Sequence, residues 1–296
     1  MERFVIINAD DFGMCHSANV AVEALMECGG ITSSTIMAPC AWAKEAVEIA
    51  KKHPDFAVGV HLTTTCEWAN YRWAPVAGAL ASLVDAEGFM WPESADFANH
   101  ATLQETEQEL RAQIEKLLRL GLQPSHFDNH MGSLYGVDTG RFELLELTMK
   151  LCAEYAMPFR MPTKFTDEQF SNKTLDIKVP RETVDALLGT FAQGAAALRV
   201  ATPDYLMPGD WEGPQKDSYE AFRAYIFDKF SHFPAGVTET YIHPAQESAE
   251  LKAITASWQH RVWEYALFSD PATRAYFASL GIKLINYRDL KAMRGY

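Results

Sequence analysis

The chain contains no Gly-x-Gly-x-x-Gly run and no Walker-type phosphate loop, which removes the common routes to dinucleotide and nucleoside triphosphate binding. It is also short of positive charge: 26 Lys and Arg stand against 39 Asp and Glu, for a net charge of -13. Nucleic-acid binding needs clustered cations to displace the counterions on phosphate, so nucleic acid is not expected as a partner. An anionic membrane surface is an equally poor match. No apolar run approaches the roughly 18 residues that a membrane span requires. The cysteines, Cys15, Cys28, Cys40, Cys66 and Cys152, are odd in number and show no Cys-x-x-Cys spacing. They read as reduced thiols of a cytoplasmic protein, not as a disulfide framework. The N-terminus runs straight into a strand with no basic region or cleavage site, so secretion is not expected. Repeats, low-complexity tracts and domain linkers are missing too, and residues 1–296 are expected to form a single domain.

What the chain does have is a regular alternation of strand-like and helix-like segments, in a composition that is 48% apolar and 22% charged. Strands are expected at Phe4–Ala9, Ile31–Met37, Phe56–Leu62, Ser125–Asp128, Pro158–Pro162, Asp204–Met207 and Gly236–Ile242, with a last one at Lys283–Tyr287. Helices are expected between them, among them Leu103–Leu120, Arg181–Leu198 and Leu251–Phe268 as one continuous helix. In Leu103–Leu120, Leu103, Leu110, Ile114, Leu117 and Leu118 face one way and Glu107, Glu109, Arg111 and Glu115 fall elsewhere. Two stretches break the rhythm, 67–101 and 163–180, and long irregular insertions in a compact domain are usually functional. Seven or eight βα units at near-regular spacing point to an α/β fold, an irregular (β/α) barrel of the TIM type, and not to an open doubly wound sheet.

Such folds place their chemistry at the carboxyl ends of the strands, and several strand ends here are polar. The first apolar run stops at two adjacent carboxylates, Asp10 and Asp11, which repel each other unless a cation or a shared proton compensates. The third ends in Gly59-Val60-His61-Leu62, the fourth in Ser125-His126-Phe127-Asp128-Asn129-His130, and the seventh in Ile242-His243-Pro244. Taken alone, each histidine has a bland reading as a hydrogen-bonded core or strand-end residue. Asp11-Phe12-Gly13 matches the kinase triplet, but no catalytic-loop signature accompanies it. Together, the polar strand ends point to a metal site. In an extended segment His126, Asp128 and His130 share a side, whereas Asp10 and Asp11 point oppositely unless a turn redirects one of them. A catalytic divalent ion typically keeps three protein ligands and one open position. Asp11, His61 and His130 would make such a set, with Asp10 free to act as a base. His16, His53, His100, His232 and His260 are set aside as loop, helix-end or structural residues.

Asn8-Ala9-Asp10-Asp11-Phe12-Gly13, followed in order by Ile31-Thr32-Ser33-Ser34, Gly59-Val60-His61-Leu62 and His126-Phe127-Asp128-Asn129-His130, closely resembles the YdjC-like (ChbG/HpnK) carbohydrate deacetylase family. Tyr241-Ile242-His243-Pro244 extends the match late into the chain. The resemblance implies an irregular β/α barrel that removes an acetyl group from an N-acetylated sugar with one divalent metal ion. It implies Asp11, His61 and His130 as the metal ligands, Asp10 as general base and His243 as general acid. The chain departs from many members by following His130 with Met131, Gly132, Ser133 and Leu134 where they carry further histidines, a difference that falls beside the sugar.

Asp128 is placed to orient a ligating histidine, with His126 as a further neighbour of the ion or substrate. Arg160, at the end of the fifth strand, is placed to hold Asp10 or to position a substrate hydroxyl, a structural ion pair being the alternative. Trp68, Trp73, Trp91 and Trp211 are candidate aromatic walls for sugar C–H faces. Two imidazoles and one carboxylate suit Zn²⁺, and the family resemblance leaves Mg²⁺ open. The competing readings are a metal-dependent barrel isomerase or phosphoesterase acting on a sugar, and a barrel that binds sugar without hydrolysing it. A small carbohydrate is the expected partner, and a homodimer the default assembly.

Overall fold

The computed structural model describes residues 2–137, 139–171 and 180–296. Part of the second expected insertion, residues 172–179, therefore lies outside the described residues. The chain runs β1 (Arg3–Phe12), α1 (His16–Cys28), β2 (Ser33–Ile36), α2 (Ala43–Lys52), β3 (Val58–Leu62), α3 (Ser94–His100) and α4 (Leu103–Leu120). It continues with β4 (Phe127–Asn129), α5 (Glu143–Glu154), α6 (Asp167–Ser171), α7 (Arg181–Ala197), β5 (Tyr205–Leu206), α8 (Tyr219–Ser231) and β6 (Gly236–Ile242). The last elements are α9 (Ala249–Ile254), α10 (Trp258–Ser269), α11 (Pro271–Ser279), β7 (Ile282–Leu284) and α12 (Tyr287–Met293).

All strand pairs are parallel, in the order β4-β3-β2-β1-β6-β5, with β7 beside the first residues of β1. The sheet curls, as twisted parallel strands do, and α1, α2 and α4 pack on β1, β2 and β3. No helix among the described residues is long and apolar enough to cross a membrane.

β1 shows how the sequence sorts its two faces. Side chains alternate along a strand, so Val5, Ile7 and Ala9 join the apolar layer under the helices with Val22 and Leu25. Ile6 points the other way, into an inner cluster with Ala201, Val237 and Tyr287. Asn8 and Asp10 continue that inner row, which becomes polar toward the carboxyl end. Burying roughly a full Val or Ile side chain at each apolar position contributes about 1.5–3 kcal/mol, and the polar positions above them must be paired.

Several boundaries differ from the sequence reading for local reasons. The strand expected at Pro158–Pro162 is a single parallel bridge between Phe127 and Phe159, because proline has no N–H to give a ladder. The helix expected over Leu251–Phe268 is two, α9 and α10. Thr255 is extended at φ -136 and ψ 138, and its hydroxyl accepts the Ser257 N–H at 3.1 Å. The last strand stops at Leu284, and Asn286 and Asp289 form a reciprocal cap that starts α12. Glu109, assigned to the polar face of its helix, is fully buried. It accepts the N–H groups of Val76 and Ala77 at 2.9 Å each, and so ties the 67–101 insertion to the fold.

Candidate metal centre

The polar strand ends converge at one place. Asp11 reaches it through a break in β1: the β1–β2 register shifts between Ala9 and Phe12, and Asp11 adopts φ +61. Left-handed backbone is uncommon for a non-glycine residue, and aspartate is among the side chains that tolerate it. The extra residue turns the Asp11 carboxylate to the same side as that of Asp10, which a regular strand would forbid. Gly13 completes the turn at φ +91, and a Cβ there would stand 2.9 Å from the Ala43 Cα.

Three donor atoms face one another. His61 Nε2 and Asp11 Oδ1 are 3.5 Å apart, His130 Nδ1 and Asp11 Oδ1 3.4 Å, and the two imidazole nitrogens 3.3 Å. All three residues are buried, and Asp11 Oδ1 has no hydrogen-bond partner. An orphaned buried carboxylate oxygen facing two ring nitrogens is an arrangement that a cation completes. Ligands bonded at about 2.1 Å in a tetrahedron stand about 3.4 Å apart, which matches this triangle. Octahedral bonds of about 2.05 Å would draw neighbouring donors to about 2.9 Å.

Each of the three facing atoms is aimed by a partner behind it. Asp128 Oδ1 pairs with His61 Nδ1 at 2.7 Å, leaving Nε2 to face the cluster. Glu67, absent from the sequence candidates, pairs with His130 Nε2 at 2.9 Å and leaves Nδ1 inward. Arg261, also absent from them, donates to Asp11 Oδ2 at 2.7 Å. Carboxylates behind ligating histidines are the usual means of fixing tautomer and ring orientation.

The electrostatics follow from these contacts. Burial alone would raise the Asp11 pKa, but Arg261 and then His130 hold it well below the usual carboxylate range. Burial pulls His61 down, and Asp128 and Asp10 outweigh it, so its pKa is raised. Burial likewise opposes protonation of His130, yet Glu67 and Asp11 push its pKa up to about 10. The cluster attracts positive charge.

Asp10 and Asp128, together with His61, could also form a cation site, but their oxygens are already engaged. Arg160 donates to both Asp10 oxygens at 2.6 and 2.7 Å, and Asn8 Nδ2 donates to Oδ1 at 2.8 Å. Asp128 Oδ2 accepts from Thr35 at 2.8 Å and lies 2.9 Å from Arg160. Arg160 also donates to Glu239 at 2.8 Å. His243 follows β6 and is half-buried; its backbone N–H donates to Glu264 at 2.7 Å. Desolvation lowers its pKa despite the nearby Asp11.

His126 reaches neither the triangle of facing donor atoms nor the cleft. It is fully buried below the cluster, bonded to Ser125 at 2.9 Å and Asn8 at 3.2 Å, and stacked on Tyr287 with centroids 3.8 Å apart. Burial pushes its pKa down to about 3, so it is a neutral packing residue and not a substrate contact. The tryptophans do not line the cleft either. Trp68 and Trp73 pack behind His130, Trp91 stacks on His100, and Trp211 stacks on His260. The cleft of about 470 Å³ over the cluster is lined instead by Tyr135, Phe165, Phe191 and Tyr241 among aromatic residues. These lie in ordinary-looking positions, and spacing alone could not single them out.

A curled parallel α/β sheet with a buried carboxylate–imidazole cluster at its carboxyl edge is the class of protein that these features define. The chain belongs to the family described as YdjC-like protein, whose model matches residues 4–279. It is 29% identical over 290 residues to a carbohydrate deacetylase of Geobacillus stearothermophilus, covering 98% of each chain. It is 35% identical over 133 residues to a chitooligosaccharide deacetylase of Yersinia enterocolitica, covering 44% of this chain and 50% of that protein. A crystal structure from Enterococcus faecalis V583, described as a candidate cellobiose-phosphate cleavage protein, superposes with a TM-score of 0.76. That pair is 25% identical and covers 98% of this chain and 99% of the other.

Proposed function

We propose that this protein is a metal-dependent hydrolase that removes the acetyl group from an N-acetylated sugar. The observation that carries the reading is the triangle of Asp11 Oδ1, His61 Nε2 and His130 Nδ1, with edges of 3.3–3.5 Å around an unpaired carboxylate oxygen. The carbohydrate deacetylases among its relatives supply the substrate class. Backbone bonds from Phe127 N to Pro158 O, Phe159 N to Ala201 O and Asp204 N to Val237 O support reading the sheet as an irregular (β/α) barrel. One domain would then span residues 1–296.

Asp11, His61 and His130 would hold one divalent ion, and two imidazoles with a carboxylate at this spacing favour Zn²⁺ over Mg²⁺. When bound, such an ion supplies water activation and polarisation of the acetyl carbonyl. Asp10, with Oδ2 4.0 Å from His61 Nε2, borders the ligand set without belonging to it and would take the proton from water. The bidentate grip of Arg160 fixes that carboxylate in place. His243 would give a proton to the departing sugar amine. Desolvation lowers its pKa, so it would take up a proton from solvent before passing it to the amine, while Asp10 later returns to solvent the proton drawn from water. Asp128 and Glu67 would hold the two ligating rings in register.

Acetate release from a panel of N-acetylated sugars, measured with and without chelator, tests the reading. Release that chelator abolishes and added zinc restores is the expected result. Absence of acetate from every sugar, with the metal bound, would overturn it.

A further inference from the structure

Arg160 carries more negative partners than its charge requires. Its guanidinium faces Asp10 across bonds of 2.6 and 2.7 Å and Asp128 at 2.9 Å. Those carboxylates already more than balance it, yet Glu239, fully buried on β6, accepts from Nε at 2.8 Å. A buried carboxylate is unfavourable unless paired, and charge balance does not call for this one. Where Glu239 sits, and which nitrogen it takes, give it a geometric use.

On β6 the side chains of Val237, Glu239 and Tyr241 share the inward side, and Val237 belongs to the inner apolar cluster. Glu239 is level with Ile6 and Tyr241 with Asn8 in the β1–β6 register. Glu239 therefore lies one layer beneath the site and is not part of the cleft wall. It fixes the guanidinium along one edge, while the Tyr241 ring supports its face, with Cζ 4.7 Å from the centroid. A guanidinium can meet a carboxylate end-on, through Nη1 and Nη2, or side-on, through Nε and one Nη. With Nε taken by Glu239, only the end-on fork is left for Asp10. Glu239 Oε2 is held in turn by the Tyr287 hydroxyl, and Tyr287 stacks on His126 with centroids 3.8 Å apart. His126 meets Asn8 Oδ1 at 3.2 Å, and Asn8 Nδ2 donates to Asp10 Oδ1 at 2.8 Å. Both routes end on the carboxylate of Asp10. Burial raises the Glu239 pKa to about 7, so near neutrality the bond to Nε does not depend on a full charge.

We propose that Glu239 is a positioning residue for the base: by occupying Arg160 Nε it locks the guanidinium end-on and so sets the direction in which Asp10 faces the reacting water. The catalytic consequence rests on Asp10 being the base of a deacetylase; the lock on Arg160 does not. Glu239→Leu removes the acceptor, and Asp10 and Asp128 still compensate the Arg160 charge. Acetate release by the zinc-loaded full chain is measured over the panel of N-acetylated sugars, below the melting transition of every variant. In Glu239→Leu, kcat should fall about 10–100-fold with KM and zinc affinity within about twofold, because a misplaced base slows turnover and not binding. Glu239→Gln offers Nε an oxygen again and should bring kcat back to within about fivefold of wild type. In an Arg160→Met background, Glu239→Leu should lower kcat by less than about twofold more, since its effect runs through the guanidinium.

A second readout needs no turnover. The Nη–H resonances of Arg160 in the NMR spectrum are assigned by their absence from Arg160→Met. They should be separately resolved in wild type and Glu239→Gln, where the end-on bonds block rotation, and merge into one averaged signal in Glu239→Leu. Wild-type kcat in Glu239→Leu, a loss that appears in KM or zinc affinity instead, or an equal loss with and without Arg160 would overturn the proposal. So would Nη–H signals unchanged in Glu239→Leu. If no sugar yields acetate with the wild type, the deacetylase reading falls, and the Nη–H signals alone decide whether Glu239 locks Arg160.

Discussion

Replacing Arg160 by methionine keeps the volume of the side chain and removes the one guanidinium that three buried carboxylates share. Asp10 loses a bidentate partner at 2.6 and 2.7 Å, Asp128 a contact at 2.9 Å and Glu239 a bond at 2.8 Å. Leaving buried charge uncompensated costs about 3–5 kcal/mol. For a chain of this size each kcal/mol lowers the melting temperature by about 2–4 °C, so the drop should be roughly 6–20 °C.

The pH dependence gives the sign. Burial raises the Glu239 pKa to about 7 even though Arg160 opposes it. A carboxyl whose folded pKa exceeds its unfolded value stabilises the fold at low pH, and that stabilisation is lost as pH rises through the folded value. Asp128 is the opposite case: burial would raise its pKa, but Arg160 and His61 hold it below the usual range. Its pairing contributes stability above the unfolded pKa. Losing Arg160 raises both pKa values, so both changes weaken the variant more as the carboxyls ionise. Thermal melts with chelator present should therefore show a larger deficit at pH 8.5 than at pH 5.5. A deficit independent of pH, or none at all, would refute the shared-cation account.

Asp10→Asn should lower acetate release by about 10²–10⁴-fold while leaving metal content nearly intact; wild-type rates would remove Asp10 from the chemistry. Glu67→Gln and Asp128→Asn each lose the carboxylate behind an imidazole of the proposed ligand set, so metal affinity should weaken about 10–100-fold by titration. Equal affinity in both would show that the rings are held by packing alone. Gly59→Ala would drive a Cβ into the His126 carbonyl and to within 2.7 Å of its Nδ1. A destabilisation of about 1–3 kcal/mol is expected by denaturant unfolding, and an unchanged midpoint would show that β4 can shift.

The strand ends were legible because a strand is a period-2 object: once Phe4–Ala9 reads as buried, Asn8 and Asp10 fall on one face. The pairing of Asp11 with His61 and His130 was inferable by type and order, but its geometry depends on a left-handed residue in β1 that no local pattern announces. Glu67 and Arg261 carry no signal in the sequence because they sit in a loop and a helix, and only tertiary contact brings them behind His130 and Asp11. His126 misled for the converse reason. It shares the inward side with Asp128, as spacing required, but one layer deeper, where Tyr287 covers it. The tryptophans stack on neighbouring rings within and beside the irregular segments that carry them, and sequence position alone does not tell that packing from a cleft wall.

The most direct measurement is the metal content of the purified full chain after equilibration with zinc, beside Asp11→Asn, which keeps shape and removes charge from the unpaired oxygen. About one equivalent per chain in the wild type is expected, with binding weakened at least tenfold in the variant. Equal metal content and affinity in the two proteins would contradict the ligand set on which the proposed chemistry stands.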